Sequence, residues 1–205
     1  MLTFLYLTSI FHPMSTVPPF SNTLSGELTS TLRDAIITGE IPQGAKLSET
    51  KLSQELDVSR GPLREAIRRL EGMNLIQHIP QQGARVVTLS MELVLQLYET
   101  REALESKAVA LAAVNMTSQE IDQLHRLIDA QSKHMRENSG AFIPAESDYA
   151  FHETIIRGSK NKVIEQALLR ELYNLIKMFR YQHEFARNST TNSLIEHRQI
   201  VYAIE

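Results

Sequence analysis

Two sets of residues have types and spacing that could do chemistry. The first is Arg60, Arg64 and Arg68, one arginine every fourth position. On a helix turning about 100° per residue, they fall within about 80° of one another. Leu63, Ile67 and Leu70 form the neighbouring stripe. One side of such a helix packs on a core. The adjoining side presents three guanidinium groups, the best side chains for bidentate contact with guanine edges or phosphates. The plainer alternative is a solvated basic helix face. Bulk charge does not choose between them, because the formal net charge over 205 residues is −3 at pH 7. Only the local distribution of charge can announce a polyanion partner.

The second set is Asp148, His152 and His197. Asp148 and His152 are one helical turn apart, flanked by Ile155 and Ile156. His197 lies among Leu194, Ile200, Val201 and Ile204. Titratable groups on faces that should point inward need partners. A carboxylate with imidazoles suits a divalent metal such as Zn²⁺, Ni²⁺ or Mn²⁺. A hydrogen-bonded Asp–His pair beside a satisfied core histidine is the metal-free alternative. Arg101 shares a face with Val94, Leu97, Leu104 and Ala108. It reads either as an internal salt bridge to Glu105 or as a cation for a carboxylate effector. His78, His125, His134 and His183 read as surface or packing residues. The absence of cysteine excludes disulfides, thiolate catalysis and cysteine-based zinc sites, and suits a reducing cytoplasm.

The elements that must position these residues follow from periodicity. Residues 1–22 open with the apolar run Leu2 to Phe11, too short to span a bilayer and a poor signal peptide. We expect this segment to be disordered or to precede the true start at Met14. No other segment looks transmembrane. Leu24, Leu28, Leu32 and Ile36 predict a first helix stopped at Gly39. Ser48 is an N-cap for a short helix carrying Leu52 and Leu56. Asp57-Val58 is a tight turn, and Ser59 caps the arginine helix, which runs to about Glu71. Pro62 is tolerated in the first turn. Leu75-Ile76 and Ala84 to Val87 read as two short strands around a bend at Gln81-Gln82-Gly83. After Ser90 only helical patterns remain. They begin with Leu93 to Leu111, a capping box at Thr117 to Glu120, and Pro144 to Ile156. Val163 to Tyr181 follows, then a last helix from about Ser189 that is still helical at Glu205. The fold class is mainly α, with an N-terminal winged helix-turn-helix (23–89) and an all-α helical bundle (90–205).

At this point the sequence resembles a known family. Leu32 to Glu49 is similar to the opening of a GntR-family DNA-binding domain. Val58-Ser59-Arg60-Gly61-Pro62-Leu63-Arg64-Glu65-Ala66 resembles its recognition-helix signature, and Gln82-Gly83-Ala84-Arg85-Val86 its wing. The resemblance implies a homodimer reading a palindromic operator in double-stranded DNA. It places DNA contact on Arg60 and Arg64, and more weakly on Ser59, Thr50 and Gly83. Arg68 is added from the helical face alone. Asp57 departs from the family's glycine in a turn that needs positive φ, which Asp tolerates.

The segment Asp148 to Ile155 resembles the Asp-x-x-x-His element of the ligand-binding bundle in the FadR-like branch, with its FCD-type C-terminal domain. Glu196 to Ile200 resembles its later His element, and Leu97 to Glu105 its first helix. The resemblance implies a metal held by one Asp and three His, with small organic acids as effectors. The family's last histidine falls on a further helix beyond Glu205. The expectation is therefore a bundle lacking its last helix and a three-ligand site. The expected function is a cytoplasmic, ligand-responsive transcriptional regulator, with repression as its sense. Two alternatives compete with it: a metal-dependent hydrolase with an accessory helix-turn-helix, and a truncated, non-functional paralogue. No general base stands beside the cluster, which weighs against the hydrolase.

Overall fold

A computed structural model describes residues 23–137, 146–183 and 190–205. The expectations for 1–22, and the helix starts near Pro144 and Ser189, fall outside these residues.

Helix α1 (Leu24–Thr38) starts at Thr23, whose hydroxyl accepts the Gly26 amide at 3.3 Å. It ends at Gly39, where φ is 88° and the left-handed backbone turns the chain. Its buried stripe Leu28, Leu32, Ala35 and Ile36 packs on α3 (Arg60–Gly72). The short helix α2 (Glu49–Glu55) precedes α3 and is capped by Ser48 as expected. Asp57 takes φ 50°, so the turn survives without glycine. Ser59 holds the N-cap position of α3, but its side chain makes no capping hydrogen bond, contrary to expectation.

Strands β1 (Ile76–Ile79) and β2 (Gly83–Val86) pair antiparallel, Ile76 opposite Val86 and Ile79 opposite Gly83. The first strand is longer than the sequence predicts. Leu75 closes the turn after α3 instead, its amide bonded to Leu70. Lys46 adds a bridge to Arg85, so the wing is anchored to the chain before α2.

Ser90 caps α4 (Met91–Asn115), which is followed by α5 (Ser118–Glu137) and α6 (Glu146–Gly158). The Thr117–Glu120 capping box forms in both directions, with Thr117 N donating to Glu120 at 2.9 Å and Glu120 N to Thr117 Oγ1 at 3.3 Å. The pattern from Val163 to Tyr181 is one continuous helical rod in three parts. These are α7 (Lys162–Glu165), a π-helical stretch (Gln166–Leu172) and α8 (Tyr173–Gln182). The wide turn shows in the Tyr173 amide, which bonds back five residues to Leu168 O. Helix α9 (Thr190–Ile204) closes the described chain.

Two apolar clusters form. One joins Ala112, Leu124, Ile128, Phe151, Ile155 and Val201 inside the bundle. The other is continuous from the winged head (Leu32, Ile36, Leu63, Leu70) into the bundle (Leu97, Leu168, Ile176, Met178). Helix α8 lies against α1 and makes that junction. No described helix is long and apolar enough to cross a membrane.

Candidate metal centre and nucleic-acid interface

The bundle brings Asp148, His152 and His197 together, with one ligand atom from each within 4.8 Å of the others. Helix α6 supplies the first two from successive turns, and α9 supplies the third. Asp148 and His197 are buried. Their arrangement is set by Gln131 on α5. Its Nε2 donates to Asp148 Oδ1 at 3.1 Å, which turns its Oε1 toward His197 Nδ1 at 2.9 Å. A carboxylate only accepts, so the amide orientation is fixed, and His197 must carry its proton on Nδ1. Its Nε2 lone pair then faces inward.

His152 is held in the same sense. Its Nδ1 lies 3.3 Å from Glu105 Oε2, and its Nε2 receives Arg101 Nη2 at 3.2 Å. Arginine has no acceptor, so His152 Nε2 is also a lone pair. The two Nε2 atoms face each other at 3.3 Å. Arg101 supplies a cation beside His152 Nε2 alone, whereas a bound metal ion would stand beside both nitrogens. For a tetrahedral ion with bonds of about 2.0–2.1 Å, two ligand nitrogens are separated by about 3.3–3.4 Å. The donor set therefore fits a divalent metal, and Glu105 and Gln131 are the outer acceptors such histidines need.

Electrostatics agree. Burial, then the neighbouring His152, lower the His197 pKa to about 4, which leaves the ring neutral near pH 7. For Asp148, burial opposes ionisation, but the Arg180 guanidinium holds the carboxyl below its usual range. Arg180 Nη1 reaches Asp148 Oδ2 at 2.9 Å. His197 also stacks on Phe151, centroids 4.1 Å apart.

Arg101 forms the internal salt bridge foreseen for it. It binds Glu105 at 2.5 Å and touches His152, between the rings of Tyr98 and Tyr173. Tyr173 donates its hydroxyl to the same Glu105. Burial alone would raise the Glu105 pKa, yet His152 and Arg101 keep it strongly lowered. Beside this group lies a cavity of about 20 Å³, lined in part by Glu105, His152 and Ile200, which has room for about one water. Of the remaining histidines, His125 pairs with Glu205 and His78 with Glu71, while His183 rests on Phe179.

In the head, Arg60, Arg64 and Arg68 are exposed on one face of α3, with Ser59 and Thr50 exposed nearby. Gly83 starts β2 at the wing tip with φ 85°. Sequence reasoning missed Gln131, Arg180 and Glu49. Gln131 did leave a signal, as a polar residue continuing the Leu124 and Ile128 stripe of α5. Arg180 and Glu49 left none.

The wing, the three-helix head and the bundle define a DNA-binding regulator joined to a sensing domain. The model described as "Bacterial regulatory proteins, gntR family" matches residues 24–86, and "FCD domain" matches residues 96–205. The chain belongs to the GntR family, with an FCD domain as its C-terminal part. It is 27% identical to an uncharacterized HTH-type transcriptional regulator of Bacillus subtilis, over 82% of this chain and 75% of that one. It is 30% identical to the gluconate operon transcriptional repressor of Bacillus licheniformis, over 65% of this chain and 54% of that protein. The matches thus span from about half to three quarters of these relatives' lengths. A GntR regulator from Rhodococcus sp. RHA1 shares the fold with a TM-score of 0.65 at 24% identity, covering 88% of this chain and 85% of its own. Escherichia coli McbR/YncC gives 0.63 at 23% identity, covering 90% and 87%. These domains and relatives are those of transcriptional regulators rather than enzymes.

Proposed function

We propose that this DNA-binding regulator is a cytoplasmic repressor. Residues 23–89 read a palindromic operator as a homodimer, and residues 90–205 sense a small organic acid with the help of a divalent metal. The observation that carries the sensing half is the pair of facing Nε2 atoms, each set by an outer acceptor. Asp148, His152 and His197 would hold the ion, with Zn²⁺, Ni²⁺ and Mn²⁺ as candidates. The ion would supply a Lewis-acid anchor for a carboxylate effector. Arg101 offers that carboxylate a second cation. The cavity beside His152 holds about one water, so an acid gains access only as Arg101 and Glu105 part. Relatives named as gluconate operon repressors support repression as the sense.

The route to DNA runs along α8. Arg180 binds Asp148, and two residues later Gln182 Nε2 donates to Ile36 O at 2.8 Å, at the end of α1. Gln182 also accepts from Gln43 at 2.8 Å, and Gln43 in turn accepts the Leu89 amide. A ligand shifts DNA affinity only by favouring one arrangement of this junction over another.

Selection of bound duplexes from a random pool, with and without metal, tests the reading. A two-fold symmetric motif that changes in strength with metal is expected. An unsymmetric pool indifferent to metal would refute both halves. On the selected operator, Arg64→Ala should cost about 1–3 kcal/mol, with a much smaller loss on random DNA, in a gel-shift comparison. Equal losses on both would make Arg64 a phosphate contact only.

A further inference from the structure

We infer that Glu49 is a positioning residue for sequence reading: it grips one edge of the Arg64 guanidinium and leaves the opposite edge aimed outward at a guanine. This rests on the DNA-reading role of α3. Glu49 sits in the first turn of α2, behind the cap at Ser48. Arg64 Nε reaches Glu49 Oε1 and Oε2 at 3.2 Å each, and Nη2 reaches Oε2 at 2.9 Å. The carboxylate therefore occupies the Nε/Nη2 edge. Both Nη1 protons and the outer Nη2 proton remain on the other edge, the fork that matches guanine O6 and N7.

The pair is not there for the fold. Its side chains are 55% and 35% exposed, and exposed ion pairs contribute little stability. Nor does it help DNA attraction. A carboxylate in the middle of a basic face repels phosphates and weakens sequence-independent binding. Arg60 and Arg68 also act on Glu49 through their charge, but its hydrogen bonds go to Arg64. The middle arginine of the three is singled out, and its long side chain is held before DNA arrives. Pre-organisation of this kind sharpens selection rather than raw affinity.

The test uses the full chain, the duplex that wild type selects from a random pool, all its single-base variants, and a random-sequence duplex. Glu49→Gln should lose about tenfold discrimination at one base pair per half-site, the same pair whose preference Arg64→Ala abolishes. It should bind the random duplex as well as wild type or better, with an unchanged melting temperature. In an Arg64→Ala background it should change discrimination no further. Unchanged discrimination would overturn the inference. So would an even loss at every position with weaker random-duplex binding, which is the mark of a support for the α2–α3 turn. A wild-type chain that selects no motif would remove the sequence-reading role itself, and Glu49's with it.

Discussion

One amide, that of Gln131, sets the protonation of a histidine and the orientation of a carboxylate at once. Replacing it with leucine keeps the volume but removes both bonds. His197 is then free to turn or change tautomer, and Asp148 loses a donor. Gln131→Leu should weaken metal binding about 10–100-fold, measured by competition with a chromogenic chelator. An unchanged affinity would mean that the ligands are held by packing alone. At this scale the cluster of Asp148, His152 and His197 was legible, because Asp148 and His152 sit one turn apart beside isoleucines and His197 falls among apolar residues. Their supports were not. Gln131 is seventeen residues from Asp148 and 66 from His197, and no local pattern encodes contacts at such separations. Arg101 was legible only as a choice between two roles. The structure shows the salt bridge, with the guanidinium lying between Glu105 and His152.

Helix ends account for most of what the sequence made readable. Gly39, Ser48 and the Thr117–Glu120 box each mark a boundary where the physics is local: a left-handed φ, or a side chain bonded within four residues. Ser59 shows the limit, since a residue type suited to capping does not oblige the bond to form. Glu120 does more than cap. It also takes Lys160 from the turn after α6, and these bonds hold its pKa down at about 2. A carboxyl with a lowered folded pKa stabilises above its unfolded value and loses that contribution as pH falls through the folded one. Glu120→Ala should therefore cost about 1 kcal/mol near pH 7, and little below about pH 2, by denaturant unfolding followed across pH. Solvent exposure of the Lys160 pair keeps that bond from adding much. A cost independent of pH would assign the effect to helix propensity instead.

The whole molecule differs from two beads on a string. The change in pattern at Ser90 is real in sequence. Yet one apolar cluster runs across it, from Ile36 in the head to Ile176 and Met178 in the bundle. Periodicity shows which face of α1 or α8 is apolar, not which helix will cover it, so this shared core was illegible. Gln182 sits at its edge. Gln182→Ala should leave metal affinity and folding close to wild type while reducing the metal- or effector-dependent change in operator affinity. A full coupling of about 1–3 kcal/mol would shrink by at least half, read from DNA titrations with and without ligand. Coupling that survives intact would place the route elsewhere, for instance through α4.

The π-helical stretch Gln166–Leu172 gives this junction its tolerance. A wide turn houses a residue that an α-helix has no room for, so the rod beyond it stays in phase. That is slack in the chain. A residue removed within 166–172 can be absorbed by tightening to α, with Arg180 still on Asp148 and Gln182 still on α1. The same removal inside α8 would swing whatever follows it by about 100° and disengage the sensor from the reading head. Length can drift in one turn of this helix, while two turns later it is fixed to the residue.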